Sequence, residues 1–190
     1  METKQEREIA TSWSWVSNMA DVFHKELELE TKGNKATYFD IREDCKAFVK
    51  ETGIKNGILV VQSPHTTCSV FFEEMDHDKD PLGDYFLQAD LNKGLNRVFP
   101  KQLTYDDYYK YAGPKHKEFG DSIPNKAPGS DWQHLLNGDA HLKSTVLGSN
   151  KNFQIVDGEL QIGRFGYIFF VDFDGNRARK RKCLLCAIGE

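Results

Sequence analysis

Charged and apolar residues alternate through Glu26-Leu-Glu-Leu-Glu-Thr31, and the alternation resumes at Ala36-Thr-Tyr-Phe-Asp40 after the turn residues Lys32-Gly-Asn34. A period of two with one wetted face marks strands, so this segment is expected to form a hairpin. The spacing then changes. Cys45, Phe48 and Val49 stand at i, i+3 and i+4, which predicts a short helix over 45–52 that Gly53 ends. Gly57-Ile-Leu-Val-Val-Gln62 is an apolar run, expected to be a central strand covered on both faces and closed by Ser63-Pro64. Thr67-Cys-Ser-Val-Phe-Phe72 reads as the next strand, and Phe86, Leu87, Leu91, Leu95 and Val98 mark one face of a helix from about 84 to 99. In the last third, Phe153–Val156, Leu160–Ile162, Gly166–Phe173 and Lys182–Ile188 are separated by turns, and Asp157-Gly158 and Asp174-Gly175 predict two hairpins. The expected class is α+β: a single domain with an antiparallel-rich sheet or sandwich and a few packed helices.

Residues 1–22, with Trp13 and Trp15 among Ser and Thr, read as an N-terminal extension, and 23–190 as the domain. Residues 100–130 carry Tyr105, Tyr108, Tyr109 and Tyr111 without a clear period and are expected to be an insert. A net charge of −4 gives no global reason to expect nucleic acid or an anionic membrane as partner. No secretory or membrane-spanning run is present, so a cytoplasmic location is the default expectation. Cys45, Cys68, Cys183 and Cys186 are then expected as free thiols. Three positions along a strand would put Cys183 and Cys186 on opposite faces. The basic run Arg177-Ala-Arg-Lys-Arg-Lys182 is either a solvated strand edge or loop, or an anion patch.

The candidate chemistry centres on histidine. His65 stands at a strand end beside Thr66 and Thr67, while His134 and His141 flank Asn137-Gly-Asp139. On one continuous helix those two imidazoles would lie about 10 Å apart, too far to share a metal. Asn137-Gly138 is a turn signal, however, so a loop feeding a helix that starts near Asp139 would let His134 fold back. Three imidazoles with a carboxylate suit zinc or another borderline divalent metal, although the spacing matches no specific zinc signature. Of the acidic set from Glu73 to Asp80, Glu74 is the candidate general base or supporting carboxylate. Lys143 at a helix start and Arg177 near the final turn are candidates for gripping a phosphate.

At these residues the chain resembles the YjbQ-like family, also named for a secondary thiamine-phosphate synthase activity. The resemblance rests on Leu27-Glu-Leu-Glu-Thr-Lys32, Gly53-Ile-Lys-Asn-Gly-Ile58, Pro64-His-Thr-Thr67 with Glu74, Asp80-Pro81, His134, Asn137-Gly-Asp-Ala-His-Leu-Lys143, Leu147-Gly-Ser149, and Asp172-Phe-Asp-Gly175 with Arg177. It implies a compact α+β fold, a homotrimer, and a site lined by histidines for a metal or an anion. Two departures stand out: Gly163-Arg-Phe-Gly166 replaces a Gly-Thr-Trp-Gln segment, and Asn176 replaces a proline.

The expected function is that of a metal-dependent enzyme on a small phosphorylated substrate, and the resemblance implies a transferase joining an aminopyrimidine diphosphate to a thiazole phosphate and releasing pyrophosphate. His65, Thr67, Glu74 and Asp139 are its candidate catalytic residues, and Lys143 and Arg177 its phosphate contacts. His65, His134 and His141 would be ligands for zinc or magnesium. The alternatives are a metal-assisted hydrolase with Glu74 as base, or a protein that binds a small ligand or metal without turnover.

Overall fold

The structure, a computed structural model, describes residues 20–104, 108–122 and 135–190. Five antiparallel strands form one sheet, in the order β1 (Asp21–Thr31), β8 (Arg179–Gly189), β3 (Gly57–Gln62), β5 (Asn150–Val156) and β6 (Glu159–Leu160). A second sheet holds β2 (Thr37–Asp40), β7 (Gly166–Asp172) and β4 (Cys68–Glu74). The described residues also hold four helices: α1 (Arg42–Thr52), α2 (Phe86–Val98), α3 (Pro114–Ser122) and α4 (Gly138–Leu147). The single-domain α+β class expected from the pattern is therefore the one observed. Among the described residues no helix is long and apolar enough to cross a membrane.

Strand β7 explains the layering. All seven of its residues are buried, and alternate side chains serve two cores. Ile168 and Phe170 join Leu59, Val61, Cys183 and Leu185 beneath the five-stranded sheet, whereas Tyr167, Phe169 and Val171 face Phe71, Ala140, Leu91 and Leu95 on the helical side. Cover for the unbroken run Tyr167–Val171 thus comes from within the chain.

Several sequence expectations change. The segment 26–40 is not a hairpin, because β1 pairs with β8 along eleven positions and β2 pairs with β7 in the other sheet. Charge complementarity gives a physical reason: Glu26 and Glu28 on the outer face of β1 meet Lys182 and Lys180, and β2 has no basic residue to offer. The turn at Asp157-Gly158, with φ of 53° and 80°, does close a tight hairpin between β5 and β6. Asp174-Gly175 instead carries the chain from one sheet to the other. Strand β3 is central in its sheet, yet Ile58 on its outer face is 48% exposed. On α2, Leu91 and Leu95 pack inward, but Phe86, Leu87 and Val98 are exposed and Gln88 takes the buried position. The cysteines are free, with Cys183 buried and Cys186 half-buried on alternate sides of β8. Residues 1–19, with Trp13 and Trp15, lie outside the described residues, and Asp21 and Val22 already belong to β1.

One half-buried carboxylate, Glu73, makes a testable demand on stability. Burial first, and the charge of Asp76 second, raise Glu73 to about 7. A carboxyl raised above its unfolded value holds its proton more tightly in the native state, so stability should fall as pH rises from about 4.5 to about 7. Solvent screening limits the effect to on the order of 1 kcal/mol. Glu73→Gln should flatten that slope in urea titrations at pH 5 and pH 8, and an unchanged slope would contradict the assignment.

Candidate functional site

Four chain segments meet at one end of the two sheets. Strand β3 ends at Gln62 opposite Leu184, and Ser63-Pro64 then leave the ladder. The Lys182 amide, two residues back along β8, donates to His65 Nε2 at 2.9 Å. That bond places the proton of neutral His65 on Nδ1. The loop 63–67 returns the chain to β4, and there the Thr67 hydroxyl donates to Asp172 Oδ1 and accepts from Arg181 Nη2, both at 3.1 Å. Asp172 also receives Arg181 Nε at 2.8 Å, and both side chains are buried.

The turn after β7 supplies a second acid. Asp174 is 2% exposed and accepts from Asn137 Nδ2 at 2.8 Å, while Arg179 Nη2 lies 2.7 Å from the same carboxylate oxygen. That Arg179 contact lacks hydrogen-bond alignment, so the buried Nη2 group has no hydrogen-bond acceptor. Asn176 ties this turn to the segment before α4 by donating from its side chain to Leu136 O at 2.8 Å, a bond that proline in its place could not make. Helix α4 starts at Gly138 after Asn137, as the turn signal predicts, and Ser144 fastens it to β4 through Cys68 O at 2.7 Å. One turn in, His141 Nδ1 meets Thr66 O at 3.3 Å. Because a carbonyl only accepts, Nδ1 carries the proton and the Nε2 lone pair is left over.

His65, Thr66, Thr67, Asn137, His141, Asp174, Arg179 and Arg181 thus line one cavity of about 250 Å³. Burial lowers both histidines below the usual imidazole range, and the charge of Arg181 adds to this at His65. Both imidazoles are therefore mainly neutral at pH 7.

The other sequence candidates lie elsewhere. Glu74 sits at the far end of β4, opposite Gly166 while Cys68 pairs with Asp172, which is roughly 20 Å away at strand rise. It reaches neither histidine. Asp139 and Lys143 are buried against each other at 2.8 Å, with Asn96 as the second partner of the lysine, and they line a different cavity. Arg177 is exposed on the turn, near enough to feel the charges of Arg179 and Asp174 but outside the cavity lining. His134 falls outside the described residues. Gly166, at the first departure from the YjbQ-like pattern, is roofed by Phe72, whose ring leaves no room for a Cβ.

The described residues do not make a three-imidazole metal centre. The ring lone pair of His65 is taken by the Lys182 amide, Asp172 and Asp174 are engaged by arginines, and only His141 has a ring lone pair over. Among the described residues no group of three or more His, Cys, Asp or Glu is placed to hold a metal ion. Two guanidinium groups in the lining favour an anion over a divalent cation.

Sequence reasoning met Arg179 and Arg181 only as part of a basic run with an anion patch as one reading, singled out Arg177 instead, and read Asn137 and Asp174 as turn residues. A signal for the arginines was present. On a strand the run Arg179-Lys-Arg-Lys182 alternates, so both arginines point inward and both lysines outward.

The model of the family described as "UPF0047 protein YjbQ-like" matches residues 25–190. The UPF0047 protein YugU of Bacillus subtilis is 27% identical over 161 residues, covering 82% of this chain and 92% of its own. A UPF0047 protein of Methanothermobacter thermautotrophicus is 26% identical over 160 residues, covering 84% and 89%. Among solved structures, a YjbQ/UPF0047 protein of Clostridium acetobutylicum superposes with a TM-score of 0.59 at 30% identity, covering 86% and 98%. A YbjQ-like protein of Sulfolobus solfataricus superposes with a TM-score of 0.65 at 22% identity, covering 90% and 99%, a likeness of fold.

Proposed function

Since the chain belongs to the YjbQ-like UPF0047 family, we propose that it is an enzyme that binds a small phosphorylated substrate in the cavity of His65, His141, Arg179 and Arg181 and displaces pyrophosphate. The observation that carries this reading is the pair of guanidinium groups, Arg179 and Arg181, that line one cavity beside two imidazoles. The planar fork of N–H donors on a guanidinium matches the oxygens of a phosphate. Arg179 and Arg181 would neutralise charge on the departing pyrophosphate, held in place by Asp174 and Asp172. The transfer implied by the resemblance joins an aminopyrimidine diphosphate to a thiazole phosphate. Hydrolysis is a second reading, favoured by the neutral His141, whose Nε2 can take a proton from an attacking water.

A zinc or magnesium ion here would need donors beyond the described residues. A cytoplasmic homotrimer suits the four free thiols and the exposed apolar positions Val22, Ile58 and Ile188, which are cross-strand neighbours on the outer face of the large sheet.

The test is pyrophosphate release from an aminopyrimidine diphosphate, with and without thiazole phosphate, beside calorimetric titration of pyrophosphate. Release that requires the acceptor is expected for the transferase, and release without it indicates hydrolysis. Absence of both release and pyrophosphate binding would reject the proposal.

A further inference from the structure

A separate cavity of about 190 Å³ has no histidine or arginine in its lining. Sites for drug-sized ligands run to about 300–1,000 Å³, so this one suits a ligand of few heavy atoms. Its apolar lining is Ala36, Leu136, Ala140 and Phe173, all buried. Its polar lining carries three ammonium groups, those of Lys35, Lys101 and Lys143. The walls are fixed. Gln102, 2% exposed, accepts from Gly138 N at 2.7 Å through Oε1, and its own amide donates to Asp139 Oδ1 at 3.3 Å, which holds the neighbouring Lys101 beside the first turn of α4. Gly175 packs so closely on the loop before β2 that a Cβ there would stand 2.8 Å from Lys35 N. That loop and the turn after β7 therefore form one continuous wall.

Lys143 is 4% exposed, and its ammonium has three donors for two acceptors, Asn96 Oδ1 at 2.7 Å and Asp139 Oδ2 at 2.8 Å. One buried N–H is left without an acceptor among the described residues. Because an ammonium only donates, Asn96 turns its oxygen to Lys143 and keeps its amide donors for another partner. The charges around the cavity are closed except for one. Lys35 pairs with Asp84 at 2.6 Å, Lys143 with Asp139, and Asp174 with Arg179, whereas Lys101 has no acidic partner among the described residues. The lining thus offers surplus donors and a single uncompensated positive charge. One monoanion completes that balance. A carboxylate brings one charge, several lone pairs for N–H donors and a carbon chain for the apolar wall, whereas a phosphate brings about −1.5 to −2 and no apolar part.

We propose that this cavity is a binding site for a small organic monocarboxylate, with its carboxylate between Lys101 and Lys143 and its carbon chain against Phe173 and Leu136. The site is distinct from the arginine-lined cavity and does not depend on the reading given above. Lys143 then has two tasks: it ties α4 to α2 through Asp139 and Asn96, and it presents its third N–H to the ligand.

Titration of propionate, propionamide and inorganic phosphate into the whole chain, followed by backbone amide resonances in NMR, tests this. Propionate is expected to move the resonances of Ala140, Lys143 and Gly175 and to leave those of His65 and Thr66 in place. Propionamide, of the same shape without the charge, should bind about tenfold more weakly. Lys143→Gln should abolish binding, but it also strips Asp139 of its partner, so Lys101→Gln at an exposed position is the deciding variant. It should weaken propionate about threefold and leave thermal melting unchanged. Equal affinity for the acid and the amide, wild-type affinity in Lys101→Gln, or shifts confined to His65 and Thr66 would each overturn the site. Phosphate that moves Ala140, Lys143 and Gly175 at lower concentration than propionate would show an inorganic-anion site instead, and the proposal fails.

Discussion

Asp172→Ala is expected to lower the stability of the fold by about 3–5 kcal/mol, the usual range when one partner of a buried ion pair is removed. Asp172 is fully buried, and the Arg181 side chain beside it is 10% exposed. Without the carboxylate, Arg181 would keep its charge in a place that water barely reaches, and the Thr67 hydroxyl and the Asp174 amide would lose their acceptor as well. The double replacement Asp172→Ala with Arg181→Met should recover a good part of the loss, because no uncompensated charge is then left. Urea midpoints of the wild type, both single variants and the double variant form the cycle that measures this. A loss below about 1 kcal/mol for Asp172→Ala would mean that Arg181 finds solvent after all and that the network is not closed.

The elements were largely legible along the chain because each has a strong local period. Phe48 and Val49 do bury one side of α1, and Gly53, in the left-handed region at φ 74°, does end it. Pairing was less legible. Lys32-Gly-Asn34 looks like a hairpin turn, but which strand lies beside β1 is decided by residues some 150 positions away, where Lys180 and Lys182 offer the charges that the glutamates of β1 need. The same holds for Asp174-Gly175. Its local signal is that of a tight turn, yet Arg179 and Asn137 draw Asp174 inward and direct the following strand into the other sheet.

The site was legible at its histidines and at the start of α4, and much less so in its charges. His65 is part of the loop 63–67 and accepts from Lys182 N of β8, while His141 donates to Thr66 O of that loop, and both line one cavity. Glu74 looked close to His65 because nine residues separate them, but an extended strand carries the chain away from its start instead of folding it back. Lys143 looked available at a helix start. Its burial against Asp139 and Asn96 turns it into a tie between α4 and α2. Gln102 had no sequence signal at all, for a single amide in an aperiodic segment says nothing about the helix amide it will cap.

His141→Ala is expected to slow pyrophosphate release by about 10²–10⁴ if the imidazole takes the proton of the nucleophile, the range typical of general-base catalysis. The structure gives this a pH signature. Burial lowers the His141 pKa below its usual value, so the base is already neutral on the acid side of neutrality. The rate per unit substrate should therefore rise with pH below about 6.5 and stay flat above it. In the variant that acid limb should vanish together with most of the rate. Pyrophosphate affinity at pH 8 should change little, because a neutral imidazole adds no charge to the Arg179 and Arg181 cavity. Thermal melting should also stay close to the wild type, since the side-chain bond lost is a single 3.3 Å contact to Thr66 O. A variant that keeps the wild-type rate and its acid limb would reduce His141 to a wall of the cavity and leave the guanidinium groups as the catalytic machinery.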